Sequence, residues 1–243
     1  MEIFTSLQGA QLLARWAHFL AGITWIGLLY YFNFVQGPFF NQTSPEVKTA
    51  ATRSLVPRAL WWFRYAAVWT WVAGLGLILT YIAQEHWNWA DVLTRPFPQG
   101  LPILTGAVLG TIMFANVWGV IWPNQQIVIA SAEATSTGGQ ADPRVSGATR
   151  RAFLASRTNV VLSIPMLFFM ATSAHLPLAQ AASTAQKALY MILAAVIIGA
   201  VEANALMGTS GRPKQPLEKI ETTIGSAFGL WLVLYVVFQL ALD

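Results

Sequence analysis

No cysteine occurs among the 243 residues, and only 10% of them carry a charge. The first absence excludes disulfides, thiolate metal sites, iron–sulfur clusters and covalent haem attachment through Cys-x-x-Cys-His, so any haem held by this chain is held non-covalently. The second removes the solvating surface that a water-soluble domain needs, while 56% of the residues are hydrophobic and the mean hydropathy is +0.53. Histidine is also scarce, with three in the chain: His18, His86 and His175.

What is present is a set of long apolar runs. A helix needs about 20 apolar residues to cross hydrocarbon, because every backbone N–H and C=O must find its partner within the helix. Six runs meet that demand: Leu7 to Val35, Ala59 to Ala83, Leu101 to Trp122, Phe153 to His175, Ala185 to Leu206, and Thr223 to Leu242. The expected fold is all-α, a single integral membrane domain of six transmembrane helices over residues 1–243. The first run is long, has Glu2 in place of a basic leader and closes on no small-residue cleavage site, so it is expected to remain as a span.

The net charge of +4 is distributed by loop and not as a stripe, which argues against nucleic acid. Lys48, Arg53 and Arg58 separate runs one and two, Arg144, Arg150 and Arg151 separate three and four, and Arg212, Lys214 and Lys219 separate five and six. The alternate loops hold Arg95, with Lys187 opening run five. The positive-inside rule then expects both termini on the outer, periplasmic side of a bacterial inner membrane, with the basic loops in the cytoplasm. Trp61, Trp62, Trp118 and Trp122 at one boundary and Trp87 and Trp89 at the other read as interfacial belts.

Small residues mark expected packing faces: Gly106 and Gly110 in run three, and Ala194, Ala195, Gly199, Ala200 and Ala203 in run five. Ser44 and Pro45 begin a short amphipathic segment expected along the inner surface and ending at Pro57, and Ala132 to Thr149 reads as a polar loop.

In the first run Arg15, His18, Gly22 and Trp25 recur at three- and four-residue spacing and share a stripe. A neutral imidazole can ligate iron, a glycine one turn away leaves room for a flat macrocycle, and an arginine nearer the surface can pair a propionate. Run four brings His175 toward the same boundary, while His86 lies beside Trp87 and Asn88. The alternative is structural, with His18 donating one hydrogen bond between helices. A mononuclear zinc or copper site is disfavoured, because no carboxylate or soft third ligand stands at that depth.

Toward the opposite boundary five runs contribute polar groups: Asn33, Arg64, Asn116 with Asn124 and Gln125, Arg157 with Asn159, and Glu202 with Asn204. Arg157 and Glu202 are expected to pair, since a lone charge at such depth costs roughly 2.5–3.5 kcal/mol or more. These groups form either a structural network or a pocket for a planar, anionic or hydrogen-bonding small molecule.

Three segments carry a family resemblance. Trp-Ala-His-Phe-Leu-Ala-Gly-Ile-Thr-Trp-Ile-Gly-Leu-Leu-Tyr-Tyr-Phe-Asn-Phe from Trp16, Asn-Val-Trp-Gly-Val-Ile-Trp-Pro-Asn-Gln from Asn116, and Ser-Arg-Thr-Asn-Val-Val-Leu-Ser-Ile-Pro-Met-Leu-Phe-Phe-Met from Ser156 resemble the urate-oxidase N-terminal family, the membrane region of cytochrome c-linked bacterial urate hydroxylases. The resemblance is strong from run one to run four and looser beyond. His18, Trp25 and Gly27 are also similar to a short pattern of the protoporphyrinogen-oxidase and copper-resistance D type membrane haem proteins, which implies a ligand role for His18.

The resemblance implies haem b between His18 and His175, with Arg15, Gly22 and Trp25 around it. It also implies a reductant pocket in which Arg157 orients an anionic substrate, Asn124 and Gln125 read its edges, Asn159 assists and Glu202 accepts a proton. The reductant would be urate, another purine or a quinol. The family's C-terminal cytochrome c domain has no counterpart before Asp243, so a separate cytochrome c or another membrane-complex subunit is the expected electron acceptor. Two further classes stay open: a non-catalytic anchor or assembly subunit of a respiratory or dehydrogenase complex, and a transporter using Arg157 and Glu202.

Overall fold

The computed structural model describes residues 2–85, 100–175 and 182–242. Among them are six helices long and apolar enough to cross a membrane: α1 (Leu7–Gln42), α3 (Val56–Glu85), α4 (Gly100–Ser136), α5 (Val145–His175), α6 (Thr184–Leu206) and α7 (Ile220–Leu242). A short α2 (Pro45–Ser54) lies between the first two spans, with Ser44 accepting from the Val47 amide as the expected N-cap. His86, Trp87, Trp89 and Arg95 fall outside the described residues.

Each span outgrows its apolar run, and the largest difference, in α4, sits at a proline, as does that in α1. A proline inside a helix removes one N–H and presses its ring on the carbonyl four residues back. α1 continues past Pro38 and α4 past Pro123 because the preceding turns, Tyr31–Gln36 and Val117–Ile121, are π-helical. There the Gly37 and Trp122 amides bond five residues back, to the Phe32 and Val117 carbonyls. The widened turn gives the proline ring room and lets the rod go on.

α4 thus runs on to Ser136, and the loop expected over Ala132 to Thr149 contracts to residues 137–144. Gly138, at φ 85°, ends the helix in the left-handed conformation, and the Gly139 amide bonds back to Ala134 O at 2.9 Å.

α5 is the axis of the bundle. Two thirds of its most apolar stretch is buried, whereas the corresponding stretches of the other spans are largely exposed on their outer faces. α4 and α7 flank it, α6 closes the far side, and α1 pairs with α3 at the opposite flank. Leu154, Val160, Leu162 and Phe169 of α5 meet Leu109, Met113, Leu234 and Phe238 from its neighbours in the core. Gly106 and Gly110 admit Met170 and Met166, and a Cβ at Gly106 would lie 3.0 Å from Met170 Cγ. The small-residue face expected on α6 packs only in part: Ala194 is buried in the core and Ala203 is half-buried, whereas Ala195, Gly199 and Ala200 are exposed and a Cβ at Gly199 meets nothing within 4 Å.

Gly106→Leu should therefore destabilise the bundle by about 1–3 kcal/mol through overpacking, while Gly199→Leu leaves it unharmed; thermal unfolding in detergent separates the two. A second outcome concerns the short loop. Asp142 accepts from the Arg144 amide at 2.8 Å and from its Nη2 at 2.7 Å. The Arg144 side chain chiefly, and its amide next, hold the Asp142 carboxyl down to about 2. The folded value is the lower one, so this contribution is present in full above about pH 4 and fades as pH falls toward about 2. Asp142→Asn should lower the melting temperature near neutrality, with the difference from the parent closing on acidification.

Candidate functional site

The polar groups at the basic end of the bundle divide into separate units. The first surrounds a cavity of about 160 Å³ between α1, α3, α4 and α5. Both π-helical turns border it, delivering Phe32, Asn33 and Gln36 from α1 and Ile121 from α4, with Gln125 one turn further on. α5 adds Thr149, Phe153 and Ser156, and α3 adds Val56, Leu60 and Phe63. Asn33 Nδ2 donates to the Leu29 carbonyl and to Ser156 Oγ, both at 2.8 Å, which fixes the amide plane. Gln36 Oε1 is a buried acceptor without a donor in the protein. The lining holds three carboxamides, two hydroxyls and three phenyl rings, and no charged side chain.

That arrangement suits a small, flat molecule with several donors and acceptors. Rings pack on its faces, and an amide presents a donor and an acceptor side by side to its edge. The volume is below the ~300 Å³ at which drug-sized pockets begin, which limits the occupant to about one small fused ring system.

The second unit is a relay of buried amides. Asn159 Nδ2 donates to Met113 O at 3.0 Å, while Asn116 Nδ2 donates to Asn159 Oδ1 at 2.9 Å and to Glu202 Oε2 at 3.1 Å. It ties α4, α5 and α6 together. The expected Arg157–Glu202 ion pair does not form: Glu202 is held by Asn116, and Arg157 turns to the other side of α5, over Phe153 and toward Glu218 and Glu221. Asn124 is spent on its own helix, donating to Val120 O at 2.7 Å. Asn204 donates to Pro213 O and braces the α6–α7 connection. Of the residues expected to line one pocket, only Asn33 and Gln125 border the cavity; Asn116, Asn124, Arg157, Asn159 and Glu202 do not.

Arg64 stands apart, with its guanidinium 3.6 Å from the Trp122 ring centre and near Trp118 and Tyr65. Two of the belt tryptophans therefore shelter a cation.

At the other end His18 is half-buried between α1 and α3, its Nδ1 2.8 Å from the Thr70 carbonyl. Gly22 faces Thr70 as well, and Gly74 leaves the space beside the ring, where a Cβ would come within 3.1 Å of Cε1. Trp25 is buried on the same stripe and Arg15 is exposed at its outer end. With the Nδ1 proton donated to a carbonyl, Nε2 is the nitrogen free to bind, which is the usual orientation of a metal-ligating histidine. His175 is exposed at the end of α5. The Tyr30 OH–Ser163 Oγ hydrogen bond sets the register of α1 against α5. Both histidines lie twelve residues outward from it, about 18 Å at 1.5 Å per residue, so they share a depth. No hydrogen bond joins them, and the described residues hold no group of three or more His, Asp or Glu that could bind a metal ion.

The family model for urate oxidase N-terminal matches residues 85–237. The chain belongs to the urate oxidase N-terminal family. The matched residues take in the segments from Asn116 and from Ser156, and with them Gln125, Thr149, Phe153 and Ser156 of the cavity lie in the matched range, whereas the segment from Trp16 precedes it. No curated protein and no solved structure matches the chain.

Sequence reasoning missed Gln36, Thr149, Ser156 and the aromatic walls. The usable signal was Gly37-Pro38 and Trp122-Pro123 at the ends of apolar runs, since a proline that fails to end a helix calls for a widened turn before it. In the urate oxidase N-terminal bundle the amide relay should behave as one unit. Asn159→Leu strands the Met113 carbonyl and one Asn116 proton and should cost about 1–3 kcal/mol, and adding Asn116→Leu should cost less than the sum of the two singles; a double-mutant cycle by unfolding in detergent reads this.

Proposed function

We propose that this chain is the membrane module of a urate-oxidase-type oxidoreductase, with a planar purine in the amide-lined cavity and electrons leaving toward the histidine end. The single observation that carries the reading is the uncharged cavity framed by two π-helical turns, with Asn33, Gln36 and Gln125 around it and phenyl rings at its walls. Carboxamides can read the alternating N–H and C=O groups of an oxidised purine, and the absence of a lining charge favours hydrogen-bond recognition over ion pairing. Asn33 is pre-oriented by Ser156 and its own helix, so it pays little to meet a ligand. Gln36 Oε1 has a free lone pair to offer a ring N–H.

His18 fits one axial position of haem b: its ring is fixed through Nδ1, Nε2 is available, and Gly22 and Gly74 keep side-chain bulk away. Arg15, exposed one turn outward, would pair a propionate, and His175 at the same depth is the candidate second ligand. Haem supplies single-electron carriage when bound. Asn33 and His18 are fifteen residues apart, about 22 Å along α1, so a further carrier in the membrane or a second subunit belongs to the pathway. The acceptor would be a separate cytochrome c in the periplasm of a bacterial inner membrane, and a quinol is the alternative reductant. The anchor-subunit reading would hold if the purified chain carried neither purine nor haem.

Two outcomes are expected. Urate binding to the purified chain, followed by equilibrium dialysis, should weaken about tenfold in Asn33→Leu and in Gln125→Leu; affinity unchanged in both would remove the cavity from the proposal. A reduced-minus-oxidised visible spectrum should show a b-type band that is lost in His18→Ala and lost or shifted in His175→Ala. A flat spectrum from the folded parent protein would sink the haem assignment.

A further inference from the structure

Three cations at the basic end keep side-chain nitrogens buried with no acceptor among the described residues; Arg64 lies against the Trp122 ring, which leaves Arg157 and Lys214. Arg157 on α5 is 6% exposed, and its Nε and Nη1 are unpartnered; Lys214 is 2% exposed, and its Nζ is unpartnered. They come from different elements, Lys214 ending the 3-10 turn Arg212–Lys214 between α6 and α7. Arg150 stands seven residues before Arg157 on the same face of α5, and the two guanidiniums lie 5.4 and 5.2 Å from the Phe153 ring centre between them.

Arg150 is fully engaged. It forms a two-pronged pair with Glu218 and donates from Nε to the Thr209 carbonyl at 2.9 Å, which clamps the α6–α7 connection against α5. Glu218 and Glu221 act on Arg157 only through space, and Glu221 is exposed. Burial first, and the nearby Arg150 charge second, push the Lys214 ammonium below its ordinary value. Glu218, the carboxylate Arg157 shares, is thus already committed to Arg150, and Lys214 has the Arg150 cation as its charged neighbour.

We infer that Arg157 and Lys214, framed by Arg150, form a binding site for a phosphate-class anion, of the kind carried by an anionic phospholipid headgroup. Planar guanidinium forks match phosphate oxygens, an ammonium serves as a point charge beside them, and basic pockets between spans hold lipid headgroups in this manner. The connection that carries Lys214 follows the end of α6, where Leu206 and Met207 are exposed apolar residues able to meet acyl chains. The site shares only Phe153 with the cavity and does not depend on the purine reading.

The test uses the full chain in neutral detergent, titrated separately with phosphatidylglycerol, phosphatidylcholine and inorganic phosphate, read by native mass spectrometry and by melting temperature. One retained phosphatidylglycerol and a raised melting temperature are expected, with affinity about fivefold lower in each of Arg157→Gln and Lys214→Gln. Equal protection by inorganic phosphate, lost in the same variants, would keep the anion site and name free phosphate as its source. Phosphatidylcholine bound as tightly as phosphatidylglycerol, or phosphatidylglycerol bound equally by parent and both variants, would overturn the inference. So would urate affinity lost in Arg157→Gln with lipid binding intact. If Arg157→Gln does not fold, Lys214→Gln on a separate element decides.

Discussion

In hydrocarbon a backbone N–H or C=O without a partner costs several kcal/mol, because no water is at hand to replace it. That constraint shapes every span here, most visibly where the sequence resists it. Pro38 and Pro123 would each break a helix in water. In this bundle the chain meets them by widening the turn before each to i−5 bonding, so the rods of α1 and α4 continue to Gln42 and Ser136. The same widening displaces the side chains of Phe32, Asn33, Gln36 and Ile121 from the register of a regular helix. These residues border the cavity. A requirement of backbone satisfaction and the shape of the candidate binding site are therefore one feature.

Polar side chains obey the same rule in a different way. The bundle does not pool them into one network. Asn116, Asn159 and Glu202 consume one another and a backbone carbonyl, and so fasten α4, α5 and α6. Asn33 is half consumed, which leaves its oxygen and Gln36 Oε1 for the cavity. Arg64 is sheltered by Trp122, and Arg157 by Phe153, so aromatic faces do for cations what carbonyls do for amides. What remains unconsumed stands in two places: around the uncharged cavity, and at the buried side-chain nitrogens of Arg157 and Lys214.

The apolar runs, the N-cap at Ser44 and the close approach at Gly106 and Gly110 were legible in the sequence, because each rests on local composition or spacing. The site was legible only in fragments. Asn33 and Gln125 were legible as polar groups at a common depth, and the place of His18 follows from the stripe it shares with Gly22 and Trp25. The Arg157–Glu202 pair did not, since charge complementarity at a common depth says nothing about which side of α5 the guanidinium takes. Ala195, Gly199 and Ala200 of α6 stay exposed for a related reason: alanines and glycines permit a close approach without demanding one.

By itself the sequence determined that the chain lives in a bilayer as six spanning helices, since hydropathy is a property of each segment alone. It also carried the family, through stretches around Asn116 and Ser156. The tertiary structure alone decided that α5 is the axis, which amides are spent on one another and which face a cavity, and where the prolines put their widened turns. These are relations between segments distant in the chain, and they depend on helix rotation and on whether a neighbour supplies an acceptor, which no single segment specifies.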